Sequence, residues 1–358
     1  MRSFLSASLA VLLVSLFTLS CGGGGGGSSG SWVISTVTTG AGNTNLALDS
    51  GDAPHITYHT WPGRLLYYAT LSGNVWSSEL VATAETTGDI HDLALDANNK
   101  PHISGYMFDN SSDLDLVYAE KTGSSWAVTT VKEPGDVGPF SSIAIDGNGY
   151  PHISYVNSTN LNLEYAAWNG SAWATTVVNS AINYYAFTSI AIAGTDDPLI
   201  AYQEASSYVL MLAERPASSW INTIVDGSSN EIGSYASLAL DSNGYPHISY
   251  FDSETDDLKY AWWNGSAWAT TVVDSVGFVG AQGSLALDSS DHPHIAYRDT
   301  DNGTLKYAWW DGMGWNFETV DPDSNSIDPE IRISGSDNPH IVYVDLSTTE
   351  VKYAYYVP

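Results

Sequence analysis

Short stretches in which large and small apolar residues alternate recur along the chain at intervals of about 47 residues. They share the order large, small, large, and they are Leu46-Ala47-Leu48, Leu93-Ala94-Leu95, Ile143-Ala144-Ile145, Ile190-Ala191-Ile192, Leu238-Ala239-Leu240 and Leu285-Ala286-Leu287. Alternation with a period of two residues predicts β-strands. The small residue in the middle predicts that these strands crowd together near a common axis. A fixed period of this length indicates a repeat architecture.

A second strand signal follows each of these stretches, and it begins with a recurring proline: Pro54, Pro101, Pro151, Pro198, Pro246, Pro293 and Pro339. Six of these prolines precede a histidine, and the fourth precedes Leu199; the histidines are His55, His102, His152, His247, His294 and His340. In the fifth unit four strand signals cover residues 237–241, 246–251, 258–263 and 268–273, and Asn264-Gly265 between the last two is typical of a hairpin turn. Each unit is therefore predicted to be a four-stranded antiparallel sheet.

A tryptophan marks the fourth strand of six units: Trp76, Trp126, Trp173, Trp220, Trp268 and Trp315. The seventh unit lacks one, but the N-terminal segment Trp32–Val37 reads like Trp268–Val273. We therefore expect that segment to supply the fourth strand of the seventh unit. Seven units closed in this way predict an all-β fold, a seven-bladed β-propeller of four-stranded blades over residues 32–358. An open solenoid is the alternative, and it would need no such exchange of terminal strands.

The recurring histidines allow a metal site or a structural role. Packed sheets lie about 10 Å apart, whereas a zinc–nitrogen bond is about 2 Å, so one ion cannot collect equivalent histidines from neighbouring blades. We expect each histidine to bond within its own blade, near the aspartate of the preceding turn: Asp49, Asp96, Asp146, Asp241 or Asp288. The acidic segments 109–113, 252–257 and 299–302 could bind calcium or form solvated turns. No cofactor is predicted.

The position three residues before each first-strand apolar residue faces the mouth of the predicted channel. It carries Asn43, Ile90, Phe140, Phe187, Tyr235, Gln282 and Asp328 in the seven units. Three successive blades thus present aromatic rings there, and Tyr184 and Tyr185 lie in the loop before Phe187. Such rings beside polar loops suit the stacking of a sugar or a peptide. The alternative is that the rings only plug the channel.

Other candidates for ligand binding on this predicted top face are the places where the repeat is broken. The segment 59–64 of the first unit carries His59, Trp61 and Arg64, and Arg298 lies in the sixth unit. In the seventh unit Arg332 replaces the small first-strand residue. An arginine near the axis needs an anionic partner, which could be Asp328, Glu330 or an acidic ligand.

Composition excludes some classes of partner. The 358 residues carry a formal charge of −29, with only 11 Lys and Arg. No basic patch for nucleic acid is available at that density, and an anionic membrane surface would repel the domain. We expect a monomer.

The N-terminus is predicted to be a targeting segment. Arg2 precedes an apolar run over residues 9–19, which is short for a membrane span. The run stops at Cys21, the only cysteine, and a Gly/Ser tether follows to Ser31. This pattern resembles a bacterial lipoprotein signal (residues 1–20) with Cys21 lipidated, which implies an outer-membrane lipoprotein of the cell envelope, held to the membrane by its lipid. An ordinary secretory signal is the alternative.

The short Asp/Gly turns and the Trp of each blade resemble those of bacterial seven-bladed propellers related to the sialidase and Asp-box repeat superfamily. In sialidases of that superfamily three arginines hold the substrate carboxylate; the resemblance would offer Arg64, Arg298 and Arg332 for this role. The Asp-box motif itself, Ser-x-Asp-x-Gly-x-Thr-Trp, does not occur in the sequence.

Three functions are therefore compatible with the sequence. The favoured one is a non-enzymatic envelope binding module that recognises a glycan, peptide or protein on the top face. The second is a sialidase-like hydrolase or lyase acting on a polysaccharide, although no catalytic residues can be assigned. The third is an envelope assembly scaffold that uses its rim.

Overall fold

The computed structural model describes residues 17–18, 30–61, 65–82, 91–108, 114–180, 182, 187–216, 218–228 and 231–358. Several residues singled out above lie outside these ranges, so the predictions about them stay predictions; they are Arg2, Cys21, Arg64, Ile90, Tyr184, Tyr185 and the acidic segment 109–113. In the part of the chain that is described, no helix is long and apolar enough to cross a membrane.

The described strands form seven antiparallel sheets arranged in a ring, which confirms the seven-bladed β-propeller. In each sheet the first strand is innermost, and the first strands of neighbouring blades contact one another all the way round. Six sheets have four strands, and the seventh gains a fifth, short strand at its outer edge.

The strands of blades 1 to 4 are as follows. Blade 1 comprises Ala41–Leu48, Pro54–Thr60, Leu66–Ser72 and Val75–Ala82; blade 2 comprises Asp92–Leu95, Pro101–Phe108, Leu114–Thr122 and Ser125–Lys132; blade 3 comprises Ser142–Ile145, Pro151–Asn157, Asn162–Trp168 and Trp173–Asn179; blade 4 comprises Thr188–Ile192, Pro198–Gln203, Leu210–Glu214 and Ile221–Asp226.

The strands of blades 5 to 7 complete the ring. Blade 5 comprises Ile232–Leu240, Pro246–Asp252, Asp257–Trp263 and Trp268–Asp274; blade 6 comprises Ser284–Leu287, Pro293–Asp299, Thr304–Trp310 and Trp315–Asp321; blade 7 comprises Ser326–Ile333, Pro339–Asp345, Glu350–Val357, the N-terminal Ser31–Thr39 and, outermost, Phe17–Thr18.

The N-terminal strand closes the ring as the sequence predicted. Ser31–Thr39 pairs antiparallel with Glu350–Val357, and Trp32 lies opposite Tyr356. On the face that carries the turns between first and second strands, here called the bottom face, the Asp52 carboxylate of blade 1 accepts a hydrogen bond from Gly335 N of blade 7 at 2.8 Å. Residues more than 280 positions apart in the chain thus meet at one junction.

The same bottom-face clasp recurs between other blades. In each case an Asp or Asn in the turn of one blade accepts a backbone N–H from the turn of the preceding blade; the pairs are Asn99 with Ser50, Asp196 with Gly147, Asp291 with Ser242, and Asp337 with Ser289. The accepting residues have left-handed backbone, with φ between 60° and 63°. Asp and Asn tolerate this conformation better than most residues, so the turn sequences suit both the bend and the clasp.

Within a blade, each recurring histidine bonds to a tyrosine of the third strand. Nδ1 of the histidine lies within hydrogen-bond distance of the tyrosine hydroxyl in six blades; the pairs are His55–Tyr68, His102–Tyr118, His152–Tyr165, His247–Tyr260, His294–Tyr307 and His340–Tyr353. Nε2 lies 3.4–3.8 Å from the predicted turn aspartate in five blades. The structural role is therefore confirmed, and the tyrosine is a partner that the sequence interpretation missed.

The tyrosine extends this contact to the next blade. In six junctions the fourth-strand tryptophan of one blade meets the tyrosine of the preceding blade edge-on, with ring centroids 5.2–5.5 Å apart. Blade 4 has lost the whole set together: Ala193, Leu199 and Leu212 replace the Asp, His and Tyr. Loss of all three at once is expected because a lone buried polar member would lack its partners.

Candidate ligand-binding site

A cavity of about 480 Å³ opens where the loops between fourth and first strands meet the central channel, on the top face. Its lining comes from all seven blades and comprises Asn43, Thr44, Asn45, His91, Asp92, Ser141, Ser142, Phe187, Thr188, Tyr235, Ala236, Ser237, Gln282, Gly283, Ile327, Asp328, Pro329 and Glu330. This volume lies within the usual range for small-molecule sites.

The repeat position identified at the mouth has an unusual backbone. Five of its residues are non-glycine residues with left-handed φ angles: Asn43 (46°), Phe140 (56°), Tyr235 (52°), Gln282 (57°) and Asp328 (49°). For an L-residue this conformation costs about 1 kcal/mol or more. Asn and Asp tolerate it, but Phe, Tyr and Gln do not favour it. The turn therefore fixes the direction in which these side chains leave the backbone.

One side of the cavity is aromatic. Phe187 lies between two rings, with its centroid 4.7 Å from that of Phe140 and 4.6 Å from that of Tyr235. Phe140 is buried behind Phe187, whereas Phe187 and Tyr235 line the cavity. The predicted arc of three rings is therefore present, and two of its members face the open space. The rings form a wall on one side of the mouth and leave the space beside them open.

The side formed by the next two blades is polar. Gln282 Nε2 donates to Asp328 Oδ1 at 2.6 Å. The Arg298 guanidinium lies near enough to favour the charged form of Asp328, and its Nη2 donates to Asn325 Oδ1 at 3.1 Å. Burial deep in the ring outweighs these effects and raises the pKa of Asp328 to about 6, although its side chain still touches the cavity.

Beneath the mouth, a ring of hydroxyl and carboxyl groups joins neighbouring first strands. Each accepts a backbone N–H from the following blade at 2.9–3.3 Å; the pairs are Asp92 with Ile143, Ser142 with Ile190, Ser189 with Leu238, Ser237 with Leu285, and Ser284 with Ile331. Burial and the nearby Glu330 raise the pKa of Asp92. This layer gives the cavity a rigid polar floor.

Arg332 belongs to that floor. Its Nη1 donates to the Glu330 carboxylate and, at 2.7 Å, to the carbonyl of Ile331. Of the alternatives that the sequence left open, the structure shows pairing with Glu330. Arg332 does not line the cavity, so its guanidinium acts there only through Glu330 and Asp92.

The first-blade candidates lie outside the cavity. His59 is the penultimate residue of a strand and is fully buried, with its ring edge-on to that of His91 at 4.6 Å. His91 lines the cavity wall and bonds through Nε2 to Thr57 Oγ1 at 2.7 Å. Trp61 is 43% exposed and lies over Gly42, where an added Cβ would come within 2.8 Å of the indole. The structure thus places Trp61 on the top face of blade 1, beside Asn43, and His59 beneath it.

The polar side of the cavity was not selected as a site from sequence. Gln282 and Asp328 occupy the same repeat position as Phe140 and Tyr235, so the register alone could have indicated them. The sequence does not show which of seven equivalent residues converge, because that depends on how the ring closes.

Of the three acidic segments, 109–113 lies outside the described residues, and the other two bond within the protein; in 299–302, for example, Asp299 accepts hydrogen bonds from Asn302 and Asp301 accepts one from Phe278 N. Lys259 Nζ lies 2.9 Å from the Asp226 and 3.5 Å from the Asp252 carboxylate, and Tyr250 OH donates to Asp226 at 2.7 Å. Blade 7 repeats this arrangement with Lys352 between Asp321 and Asp345. Among the residues that the structure describes, no group of three or more His, Cys, Asp or Glu is arranged to hold a metal ion.

No protein-family model matches the sequence, and no curated protein matches it. Solved structures that resemble it include AofleA from Arthrobotrys oligospora, with a TM-score of 0.55 and 13% identity over 83% of this chain and 91% of that chain. The Aleuria aurantia lectin, in complex with α-methyl-L-fucoside, gives a TM-score of 0.53 and 13% identity over 80% and 97%.

A further structural match is an ulvan lyase, described as a new family of polysaccharide lyase. It gives a TM-score of 0.66 and 12% identity over 89% of this chain and 94% of that chain. At such low identities the likeness establishes the β-propeller fold and nothing finer.

Proposed function

We propose that this protein is a non-enzymatic carbohydrate-binding module and that the top-face cavity is its sugar site. The observation that carries the proposal is the meeting of an aromatic wall and a polar wall around one cavity, in which Tyr235, Gln282 and Asp328 are held by left-handed backbone. Backbone strain of this kind is retained where a side chain must point in one direction.

The chemistry of the two walls suits a sugar. Phe187 and Tyr235 offer ring faces for the apolar C–H face of a pyranose. Gln282 and Asp328 offer an amide and a carboxyl group for the hydroxyl groups of the sugar, and the Ser/Asp floor closes the cavity below. The ligands named for two of the similar folds, a methyl fucoside and a polysaccharide, are carbohydrates, which makes this class the first to test.

We further propose that the module works at the cell envelope, with Cys21 carrying the lipid anchor. The motif around Cys21 supports this location. Metabolic labelling with a fatty-acid analogue should label the wild type and not Cys21→Ser. Equal labelling of both would contradict the anchor and leave the sugar site unaffected.

The experiment that tests the sugar site is a glycan array followed by calorimetry on the best ligand. Phe187→Ala and Tyr235→Ala should each weaken binding at least about tenfold, since ring stacking and the shape of the wall are both lost. Phe317→Ala is the matched control, because Phe317 is an exposed ring on the outer strand of blade 6, far from the channel. No glycan bound by the wild type, or equal losses in the control, would refute the proposal. Capture of a peptide or protein in place of a glycan would refute it as well.

A polysaccharide-cleaving activity is the second candidate, and one observation favours it. Asp328, with a pKa of about 6, shares the cavity with the carboxyl groups of Asp92 and Glu330. A carboxyl group that titrates near neutral pH can serve as a general acid or base. Incubation with uronate-containing and neutral polysaccharides, with new reducing ends and unsaturated uronates both measured, would detect hydrolysis and elimination. Activity lost in Asp328→Asn would establish catalysis, whereas intact polymer with retained binding supports the module.

A further inference from the structure

A second cavity lies near the bottom face between blades 5 and 6, away from the channel. It has a volume of about 340 Å³ and is lined by His247, Tyr260, Trp262, Thr271, Asp291, His292, Pro293, Trp310 and Trp315. It sits at the junction where the third-strand tyrosine of one blade meets the fourth-strand tryptophan of the next; here Tyr260 and Trp315 are 5.5 Å apart. We call the space over such a Tyr–Trp pair the junction slot.

In two other junctions the protein fills the slot with its own cation. Between blades 1 and 2, Lys121 Nζ lies 5.4 Å from the Tyr68 ring centroid and 6.0 Å from that of Trp126. Between blades 3 and 4, Arg215 Cζ lies 5.6 Å from the Tyr165 ring and 5.7 Å from the Trp220 ring. A cation within about 6 Å of a ring centroid is attracted by the negative face of the ring. Two of the six slots thus show that the space over a Tyr–Trp pair can hold a cation.

The cation is missing from the slot between blades 5 and 6. Lys121 and Arg215 occupy one repeat position, five residues before the fourth-strand tryptophan, and blade 6 has Trp310 there. Trp310 stands edge-on to Trp315, with centroids 5.9 Å apart, and lines the cavity. Trp262 from blade 5, stacked on Tyr260 at 5.4 Å, contributes another ring. The substitution thus removes a charge and adds aromatic surface around the space left behind.

A negative group faces the same space. Asp291 lines the cavity, and its carboxylate accepts hydrogen bonds from Ser242 N at 2.8 Å and Ser242 Oγ at 2.6 Å. These bonds hold the pKa of Asp291 below its ordinary value, so it is ionised at neutral pH. The chain as a whole carries a charge of −29, which attracts cations to its surface and repels anions.

We propose that the slot between blades 5 and 6 binds an organic cation from solution, of the substituted-ammonium class. Three indoles, a phenol ring and one carboxylate form a cage of the kind that recognises alkylated ammonium groups. A small metal ion is the wrong occupant, because calcium and magnesium require several oxygen ligands and this lining is mainly aromatic. The proposal is independent of the sugar site, which lies on the opposite face.

The first test compares two probes of the same shape. Choline and its neutral carbon isostere, in which a tert-butyl group replaces the trimethylammonium group, are titrated into the full chain by calorimetry at matched ionic strength. Choline should bind at least about tenfold more tightly, because the isostere lacks the charge that the rings and Asp291 attract. Equal affinities, or no binding of choline, would overturn the proposal. Binding of a methyl glycoside with no binding of choline would also overturn it.

The second test uses substitutions for which the chain itself provides a precedent. Trp310→Arg should place a guanidinium in the slot, as Arg215 does between blades 3 and 4, and so abolish choline binding with the fold intact. Asp291→Asn should weaken binding several-fold while it keeps the clasp, because Asn99 accepts the equivalent bond from Ser50. Full choline affinity in Trp310→Arg would place the site elsewhere and overturn the proposal.

A matched pair of tryptophans controls for general loss of aromatic surface. Trp262→Ala should reduce choline binding, whereas Trp309→Ala should leave it unchanged, since Trp309 stacks on Tyr307 in the same way one blade further on, outside the cavity. Equal losses in the two variants would contradict the assignment. The double variant Phe187→Ala/Tyr235→Ala should bind choline normally, which separates this site from the sugar site.

Discussion

The channel mouth and the bottom-face turns of this propeller each place left-handed residues at a recurring position, but they fill those positions differently. On the bottom face five of the seven residues are Asp or Asn, for example Asp52, Asn99 and Asp337, and these five clasp the neighbouring blade, whereas Gly149 and Gly244 occupy the position in the other two blades. At the channel mouth Phe140, Tyr235 and Gln282 also adopt this conformation. Tyr235 and Gln282 line the cavity, and Phe140 lies behind its wall.

The difference shows how a repeat protein separates stability from function. In the bottom-face clasps the residue type tolerates left-handed backbone, and Asp or Asn recurs there and holds neighbouring blades together. At the channel mouth, Phe, Tyr and Gln do not favour left-handed backbone, so the packing of the ring has to hold them in it. The side chains at this position vary from blade to blade. The channel mouth is therefore where a sugar is expected, whereas substitutions in the bottom-face clasps should damage the fold.

The largest expected effect comes from replacing one tyrosine in each region with alanine. Tyr307→Ala should lower the free energy of unfolding by about 3–5 kcal/mol, because it empties a buried site and leaves His294 without its hydroxyl partner. Tyr235→Ala should lower it by only about 1 kcal/mol, since that ring is partly exposed to the cavity. Urea unfolding of both variants measures the contrast, and similar losses would mean that the two faces are not specialised.

An intermediate effect is expected from Asp328→Asn. The pKa of Asp328 is raised to about 6 from 3.8, so the folded protein holds a proton that the unfolded chain releases between these values. The native protein therefore loses stability as the pH rises through about 6, and at pH 7 the ionised group costs about 1–3 kcal/mol. Asp328→Asn should be more stable than wild type by that amount at pH 7 and equal to it near pH 4. Asp323→Asn, at an exposed position, is the control. No gain at pH 7 would show that Asp328 is well solvated.

The smallest effects are expected from glycine substitutions at the left-handed positions of the two faces. Tyr235→Gly and Tyr235→Ala lose the same ring, but only glycine adopts φ near 52° without strain, so the glycine variant should be more stable by about 1 kcal/mol.

On the bottom face Asp337→Gly should be less stable than wild type by about 0.5–1 kcal/mol, because it loses both bonds to Ser289. Thermal unfolding resolves both differences. A glycine at position 235 that matches alanine would remove the argument from strain.

Much of the fold follows from the sequence because the same short signals recur. Four strands per blade are identified by the alternating residues, the turn residues and the spacing from Pro to Trp. The fifth blade shows how closely the predicted strand bounds agree with the observed ones. Its second strand was expected over 246–251 and runs over Pro246–Asp252. Its first strand was expected to begin at Ser237 but begins at Ile232, because irregular pairing near Ser234 carries the sheet further toward the mouth. Local patterns do not encode such an extension.

The candidate site was only partly predictable. Phe187 and Tyr235 were identified because they interrupt the repeat, and both line the cavity. His59 interrupts it too, yet it is buried, since a residue at the end of a strand can point inward as easily as outward. The junction slot of blades 5 and 6 was not identified, because the loss of a cation at Trp310 matters only when the Tyr–Trp pair of the other junctions is compared in space.

The sequence by itself determined the number of blades, their four strands, the closure by Trp32–Val37 and the structural role of the recurring histidines. These follow from spacing along the chain, which local hydrogen bonding and side-chain alternation convert directly into structure. Only the tertiary structure decided which polar and aromatic residues meet. The gathering of Gln282, Asp328, Phe187 and Tyr235 around one cavity depends on seven sheets closing into a ring, and that closure brings together residues from different repeats.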